Sequence, residues 1–134
     1  MRVTIFVGEK SASIGGMQTH FNNVADYFLK NHQLNYIIYR FPFMEAYSGE
    51  QQKEVPIKSK DAFYDAIKES SVFFFNDGWW IEEWSDLRKR FPQKLFVFRT
   101  GGNEFVKASY EDNRYPLAVR QSIWSHKIND CMDF

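Results

Sequence analysis

The sequence predicts an α/β fold, a mainly parallel sheet doubly wound by helices. Three observations predict it. Continuous apolar runs alternate with amphipathic helical stripes, the pattern of strands covered on both faces. The first run, Val3-Thr4-Ile5-Phe6-Val7, leads through a loop to paired glycines, Gly15-Gly16, and then to a helical stripe. The unusual loops follow the first, third and fourth clear strands, and open parallel sheets bind ligands beyond the carboxyl ends of their strands.

Residues 2–7 read as a buried strand and 8–15 as a loop of Gly, Lys and small residues. Met17, Phe21, Val24 and Phe28 space 4-3-4, one stripe of a helix that ends near Asn31-His32. Residues 35–39 form a second strand. A long connection runs from Phe41-Pro42-Phe43 to Lys60, with an edge strand near Val55 to Ile57. Ser59 or Asp61 caps a helix through about Glu69 that turns Phe63, Ala66 and Ile67 inward. Val72-Phe73-Phe74-Phe75 is a short apolar strand, and Asn76-Asp77-Gly78 is a turn signal. Trp80, Trp84, Leu87 and Phe91 again space 4-3-4, predicting a helix over 80–91 that Pro92 stops. Leu95 to Phe98 is the fourth clear strand. Residues 115–131 read as a helix with Pro116 in its first turn and Leu117, Trp124, Ile128 and Cys131 on one stripe. Met132-Asp133-Phe134 begins a further strand. The expected order is β-α-β-(x)-α-β-α-β-α, without an internal repeat or linker.

The bulk composition narrows the function. A chain of 134 residues, 44% of them hydrophobic, forms one domain with an ample core. Aromatics reach 19%, with 14 Phe and 4 Trp, so some rings are expected to face a partner or a ligand. The 17 basic and 17 acidic residues cancel, which argues against nucleic acid as the main partner. The one cysteine, Cys131, excludes an intramolecular disulfide and a cysteine-based zinc site, and fits a reducing cytoplasm. Neither a signal peptide nor an apolar run of the ~20 residues that span a bilayer is visible. No H-x-x-x-H, D-x-D or Cys/His cluster is present, so no metal and no cofactor is expected.

The candidate site residues sit on the three loops. Gly15 and Gly16 let the backbone approach an anion or a sugar at a helix start, or else simply make a tight strand-to-helix turn. They do not complete G-x-G-x-x-G, and Gly8-Glu9-Lys10-Ser11 does not complete a phosphate-binding loop. Gln18 is placed to read hydroxyls. His20 either contacts ligand or is a buried or capping histidine. Asp77 offers a hydroxyl acceptor and Trp79 either stacks on a sugar or base or packs inward, whereas Trp80 and Trp84 share the helix stripe and read as core. After the fourth strand come Arg99-Thr100-Gly101-Gly102-Asn103-Glu104. There Gly101, Gly102 and Asn103 offer backbone N–H groups, and Glu104 is an acid/base group or a hydroxyl acceptor; the alternative is a plain strand-end turn. Arg88-Lys89-Arg90 reads as a solvated helix face, with contact to an anionic membrane surface as the competing view.

Gly15-Gly16-Met17-Gln18-Thr19-His20, following a first strand and opening a helix, resembles the GG-x-Q/E-x-H start of GT-B glycosyltransferases of family 4. Leu95-Phe96-Val97-Phe98-Arg99-Thr100-Gly101-Gly102-Asn103-Glu104 is similar to a subset of that family with a strand followed by a Gly-Gly-Asn loop. The resemblance covers essentially the whole chain as a Rossmann-like N-terminal half. It implies a retaining transferase moving a sugar from a nucleotide-sugar to a glycan or glycolipid acceptor, in surface-polysaccharide synthesis. Gly15 and Gly16 would then be the donor-phosphate loop. Gln18, His20, Asp77, Trp79, Arg99, Gly101, Gly102, Asn103 and Glu104 would be acceptor-side candidates. Many members carry a histidine where Arg99 stands, so that histidine's role does not transfer. The second, nucleotide-sugar domain of the family has no counterpart in residues 1–134, so donor binding is expected only with such a domain and the chain alone is expected to be nearly inactive. Expected partners are a sugar acceptor, another copy through the domain–domain face, and a membrane surface at the periphery of the cytoplasm. The competing function is a non-catalytic Rossmann-like binding or interaction module. A nucleotide-dependent oxidoreductase is weakened by the missing G-x-G-x-x-G.

Overall fold

A computed structural model describes residues 2–8, 23, 27, 34–39, 45–48, 53–76, 80–99 and 125–134, with backbone alone for 34–39, 45–48 and 53–55. Its strands are β1 (Val3–Val7), β2 (Leu34–Tyr39), β3 (Glu45–Ser48), β4 (Lys53–Pro56), β5 (Val72–Phe75) and β6 (Leu95–Phe98). Helix α1 (Lys60–Ile67) precedes β5 and α2 (Trp84–Arg90) precedes β6. Residues 125–131 are helical as well.

The strands form one six-stranded sheet in the order β4-β3-β2-β1-β5-β6. β2, β1, β5 and β6 run parallel, in keeping with their apolar runs. β3 lies antiparallel to β2, and β4 antiparallel to β3. The fold is therefore α/β, with a parallel centre and an antiparallel hairpin at one edge. The long connection expected over 41–60 is thus corrected: it holds two strands rather than one. Glu-Ala-Tyr-Ser and Lys-Glu-Val-Pro have no apolar run to announce them, and their polarity suits an edge that must not recruit other chains. Pro56, which lacks an N–H, ends the edge strand.

Alternation along the strands sorts the sheet into two faces. Thr4 and Phe6 on β1 stand in register with Phe73 and Phe75 on β5, which stand in register with Phe96 and Phe98 on β6. Phe6, Phe73, Phe75 and Phe96 are fully buried there. Phe6 stacks on Phe75 at 4.6 Å, and Phe73 meets Phe96 at 5.3 Å. The helices close this face. Phe63 and Ile67 come from α1, Trp84 and Leu87 from α2, and Cys131 from the last helical segment. Offset and edge-on rings of this kind add about 0.5–1.5 kcal/mol per pair beyond their buried area. The described Phe and Trp rings thus serve mainly the core, where a partner or ligand surface was expected for some of them. On the other face of β1, Ile5 and Val7 are buried too.

Ser59 caps α1, its Oγ accepting from the Ala62 N–H at 3.1 Å, and Asp61 takes the first turn instead. The helix stops at Ile67, with Phe63 and Ile67 buried and Ala66 half-buried as the spacing predicts. No basic residue occupies its last turn. Lys94, from the turn before β6, supplies the missing cation: its Nζ donates to the carbonyls of Lys68 and Ser70. Partial burial pushes the Lys94 ammonium below its ordinary range.

The helix expected over 80–91 is shorter. Trp80 lies in a single tight turn, with the Glu83 N–H bonded to its carbonyl at 3.0 Å, and α2 starts at Trp84. What holds Trp80 apart is its indole N–H, which donates to the Val7 carbonyl at 2.9 Å. Trp80, Trp84 and Leu87 are buried on one stripe as the spacing predicts. Asn23 and Tyr27 are helical and exposed, four residues apart, on the polar side of the first expected stripe. Met17, Phe21, Val24 and Phe28 lie outside the described residues, as do Leu117 and Trp124.

Arg88 corrects the expectation of a solvated basic face. Its Nε donates to the Cys131 carbonyl at 2.9 Å, its Nη1 to the Lys94 carbonyl at 3.2 Å, and its Nη2 to Asp133 Oδ2 at 2.7 Å. Its plane lies 4.1 Å over the Phe96 ring. Arg90 lies over Tyr64, whose hydroxyl donates to Asp86 and is pushed upward in pKa chiefly by that bond. Lys89 is exposed. Beyond the last helical segment the chain turns along β6. The Phe134 N–H donates to the Phe96 carbonyl, and the Phe98 N–H to the Phe134 carbonyl, the alternation of a parallel ladder. The strand start expected at 132–134 is thus present as ladder bonding at 133–134.

One buried polar contact pins the amino end of the sheet. Thr4 and Ser70 share a hydroxyl–hydroxyl bond of 2.6 Å with both side chains buried. Thr4→Val is expected to cost about 1–3 kcal/mol because it strands the Ser70 hydroxyl. Adding Ser70→Ala is expected to recover much of that loss, and urea unfolding of the two singles and the double measures the coupling. Equal, additive losses would show that the bond contributes nothing.

Candidate functional site

The carboxyl ends of β1, β5 and β6 form the rim on which chemistry is expected. The strand order reverses at β1, because β2 lies to one side of it and β5, leading to β6, to the other. That reversal is the switch point where the loops of an open α/β sheet part and leave a crevice.

Each strand delivers one residue to the rim. Gly8 follows β1 and is buried. Asn76 follows β5 and extends the ladder, its N–H donating to the Phe6 carbonyl at 3.0 Å. Its side chain belongs to a residue only 6% exposed. Arg99 follows β6, its N–H donating to the Phe75 carbonyl at 2.9 Å. The two side chains meet: Arg99 Nη1 donates to Asn76 Oδ1 at 3.2 Å, with Arg99 half-buried. Beneath them, Trp80 ties the end of β1 to the helix layer through the Val7 carbonyl. A guanidinium is thereby set on the rim beside the switch point by a neutral amide, which fixes its direction and leaves its charge uncompensated by that partner.

The opposite end of the sheet differs in kind. There the Ser71 and Val72 N–H groups bond the Arg2 carbonyl, Leu95 bonds Ser71, and Lys94 caps α1. Those polar groups are consumed by main-chain closure. The groups with shifted protonation also belong to packing rather than to the rim. Among the described residues they are Tyr64, Lys94 and Asp133, whose carboxyl is held low by the Phe96 N–H and then by Arg88.

Of the residues that sequence reasoning singles out, Arg99 is placed on the rim. Gly15, Gly16, Gln18, His20, Asp77, Trp79, Gly101, Gly102, Asn103 and Glu104 lie outside the described residues. In the sequence Asn76 reads only as the start of a turn; a polar residue directly after a wholly apolar central strand is the signal for it. Among the described residues no group of three or more His, Cys, Asp or Glu side chains gathers as a metal site would require. Among them, too, no helix is long and apolar enough to cross a membrane. Comparison with protein-family models, with curated proteins and with solved structures gives no match.

Proposed function

We propose that this chain is the acceptor-side, Rossmann-like half of a GT-B retaining glycosyltransferase of the family 4 type. The supporting observation is the switch point itself. Gly8, Asn76 and Arg99 gather at adjacent strand ends. The Gly15-Gly16 and Gly101-Gly102-Asn103 segments follow two of those strands in the sequence. The connections support a doubly wound sheet. β1 to β2 leads to one side and β5 to β6 to the other, so right-handed crossovers put their helices on opposite faces.

On this view the rim binds a glycan or glycolipid acceptor. A second domain holds the nucleotide-sugar across the cleft, and Gly15-Gly16 faces the donor diphosphate. The chain alone then binds donor weakly and transfers little. The test is a pair of NMR titrations of the folded chain, one with an oligosaccharide acceptor and one with a nucleotide-sugar. Amide shifts at Gly8, Asn76 and Arg99 on adding the oligosaccharide, with no saturable donor binding, are expected. Saturable donor binding tighter than that of any glycan would overturn the division of labour.

A further inference from the structure

We propose that the ligand of this rim carries an oxyanion, a carboxylate or a phosphate, and that Arg99 reads it while Asn76 aims Arg99. The proposal deepens the acceptor-side reading above and names the chemistry of that acceptor. Three observations carry it. Arg99 stands directly after β6 at the carboxyl end of the sheet. Its side-chain partner among the described residues is a neutral amide oxygen, Asn76 Oδ1, and no carboxylate among them lies in ion-pair contact with it. Asn76 is itself more than nine-tenths buried and fixed by its main-chain bond to β1, so the amide is a rigid post for the guanidinium.

The contrast with Arg88 sharpens the point. Arg88 spends all three guanidinium nitrogens on the fold, one of them on the carboxylate of Asp133. Arg99 has one nitrogen anchored on an uncharged oxygen. A planar fork held by one corner presents its remaining donors in a fixed direction, the geometry that matches the two oxygens of a carboxylate or phosphate. A neutral sugar hydroxyl would be served as well by a smaller amide or hydroxyl group.

The test measures binding of matched ligands to the full chain by calorimetry. They are a neutral oligosaccharide, the same backbone bearing a uronic acid, a sugar monophosphate, and inorganic phosphate. The wild-type chain is expected to prefer the uronate or the sugar phosphate over the neutral ligand by on the order of tenfold or more, the gain of a charge-assisted contact. Which of the two is preferred identifies the source of the oxyanion. Arg99→Met is expected to erase the preference and leave neutral binding. Asn76→Asp keeps the acceptor oxygen and adds a charge that neutralises Arg99, so it is expected to erase the preference while the melting temperature holds. A loss merely of structure would instead lower binding of every ligand together with the melting temperature. Equal binding of neutral and anionic glycans, unchanged in Arg99→Met, overturns the oxyanion and keeps the glycan acceptor. Binding of inorganic phosphate as tight as that of the sugar phosphate keeps the anion site and overturns the glycan acceptor. No binding of any of the four overturns both.

Discussion

Replacing Phe6 with alanine is expected to lower the unfolding free energy by about 3–5 kcal/mol, the usual loss for a large ring removed from a core. Phe6 sits on the strand from which the sheet extends both ways. Among the described residues it meets four other rings: Phe75 at 4.6 Å, Trp80 at 5.1 Å, Phe73 at 5.4 Å and Phe63 at 6.3 Å. These rings come from α1, from β5 and from the turn before α2, so the cavity would open where the elements meet. Domains of this size are stable by about 5–15 kcal/mol, so the loss is a large part of the whole. Phe6→Leu keeps most of the volume and is expected to cost under about 1.5 kcal/mol. Urea unfolding followed by far-ultraviolet circular dichroism measures both. A loss below about 1 kcal/mol for the alanine would show that the rings collapse into the space.

Arg88→Met is expected to cost about 2–4 kcal/mol, although the residue stands in a run that reads as surface charge. The methionine covers Phe96 but takes from the carbonyls of Cys131 and Lys94 their guanidinium donor and leaves the carboxylate of Asp133 with the Phe96 N–H alone of its two donors. Arg88→Lys is expected to recover little, since a single ammonium cannot reach three acceptors in one plane. The pH dependence follows from Asp133. Its carboxyl is held below the ordinary 3.8, first by the Phe96 N–H and then by Arg88. A carboxyl depressed in the folded state contributes stability that is present above its unfolded value and lost as pH falls through its folded value. The deficit of Arg88→Met against wild type is therefore expected to be largest at neutral pH and to shrink below pH 3.8. Parallel urea titrations at the two pH values check it. A deficit independent of pH would show that Asp133 is not part of the staple.

The parts of the fold legible in the sequence are those whose residues leave no second interpretation. Val-Phe-Phe-Phe and Leu-Phe-Val-Phe are too short and too apolar to be anything but strands of a covered sheet. The Ser59 cap and the Trp84–Leu87 spacing are equally direct. β3 is invisible because it is four residues long and carries no apolar run, so Glu45–Ser48 looks like linker. Gly49, set between two polar segments, was its one turn signal. Arg88 reads as surface charge because helical periodicity says only which way a residue faces. It does not say that the C-terminal segment returns to cover that face. At the site, Arg99 was legible from its place after an apolar strand. Asn76 was hidden inside a turn signal that explained it too readily: a residue type common in turns was here a buried post for an arginine.

The placement of β1 between β2 and β5 has a consequence in time. The hairpin of β3 and β4 is closed by a link of a few residues, and a hairpin of that kind forms in microseconds. The pairing of β1 with β5 joins Val3 to Val72 and must wait until the intervening chain exists and has been brought round. Until then β1 can pair only with β2, and its other edge and the Phe6 ring lack the cover that β5 gives. During synthesis that open edge is exposed to aggregation. Slowing elongation before Phe75 lengthens that interval, whereas a pause after it gives β5 time to pair.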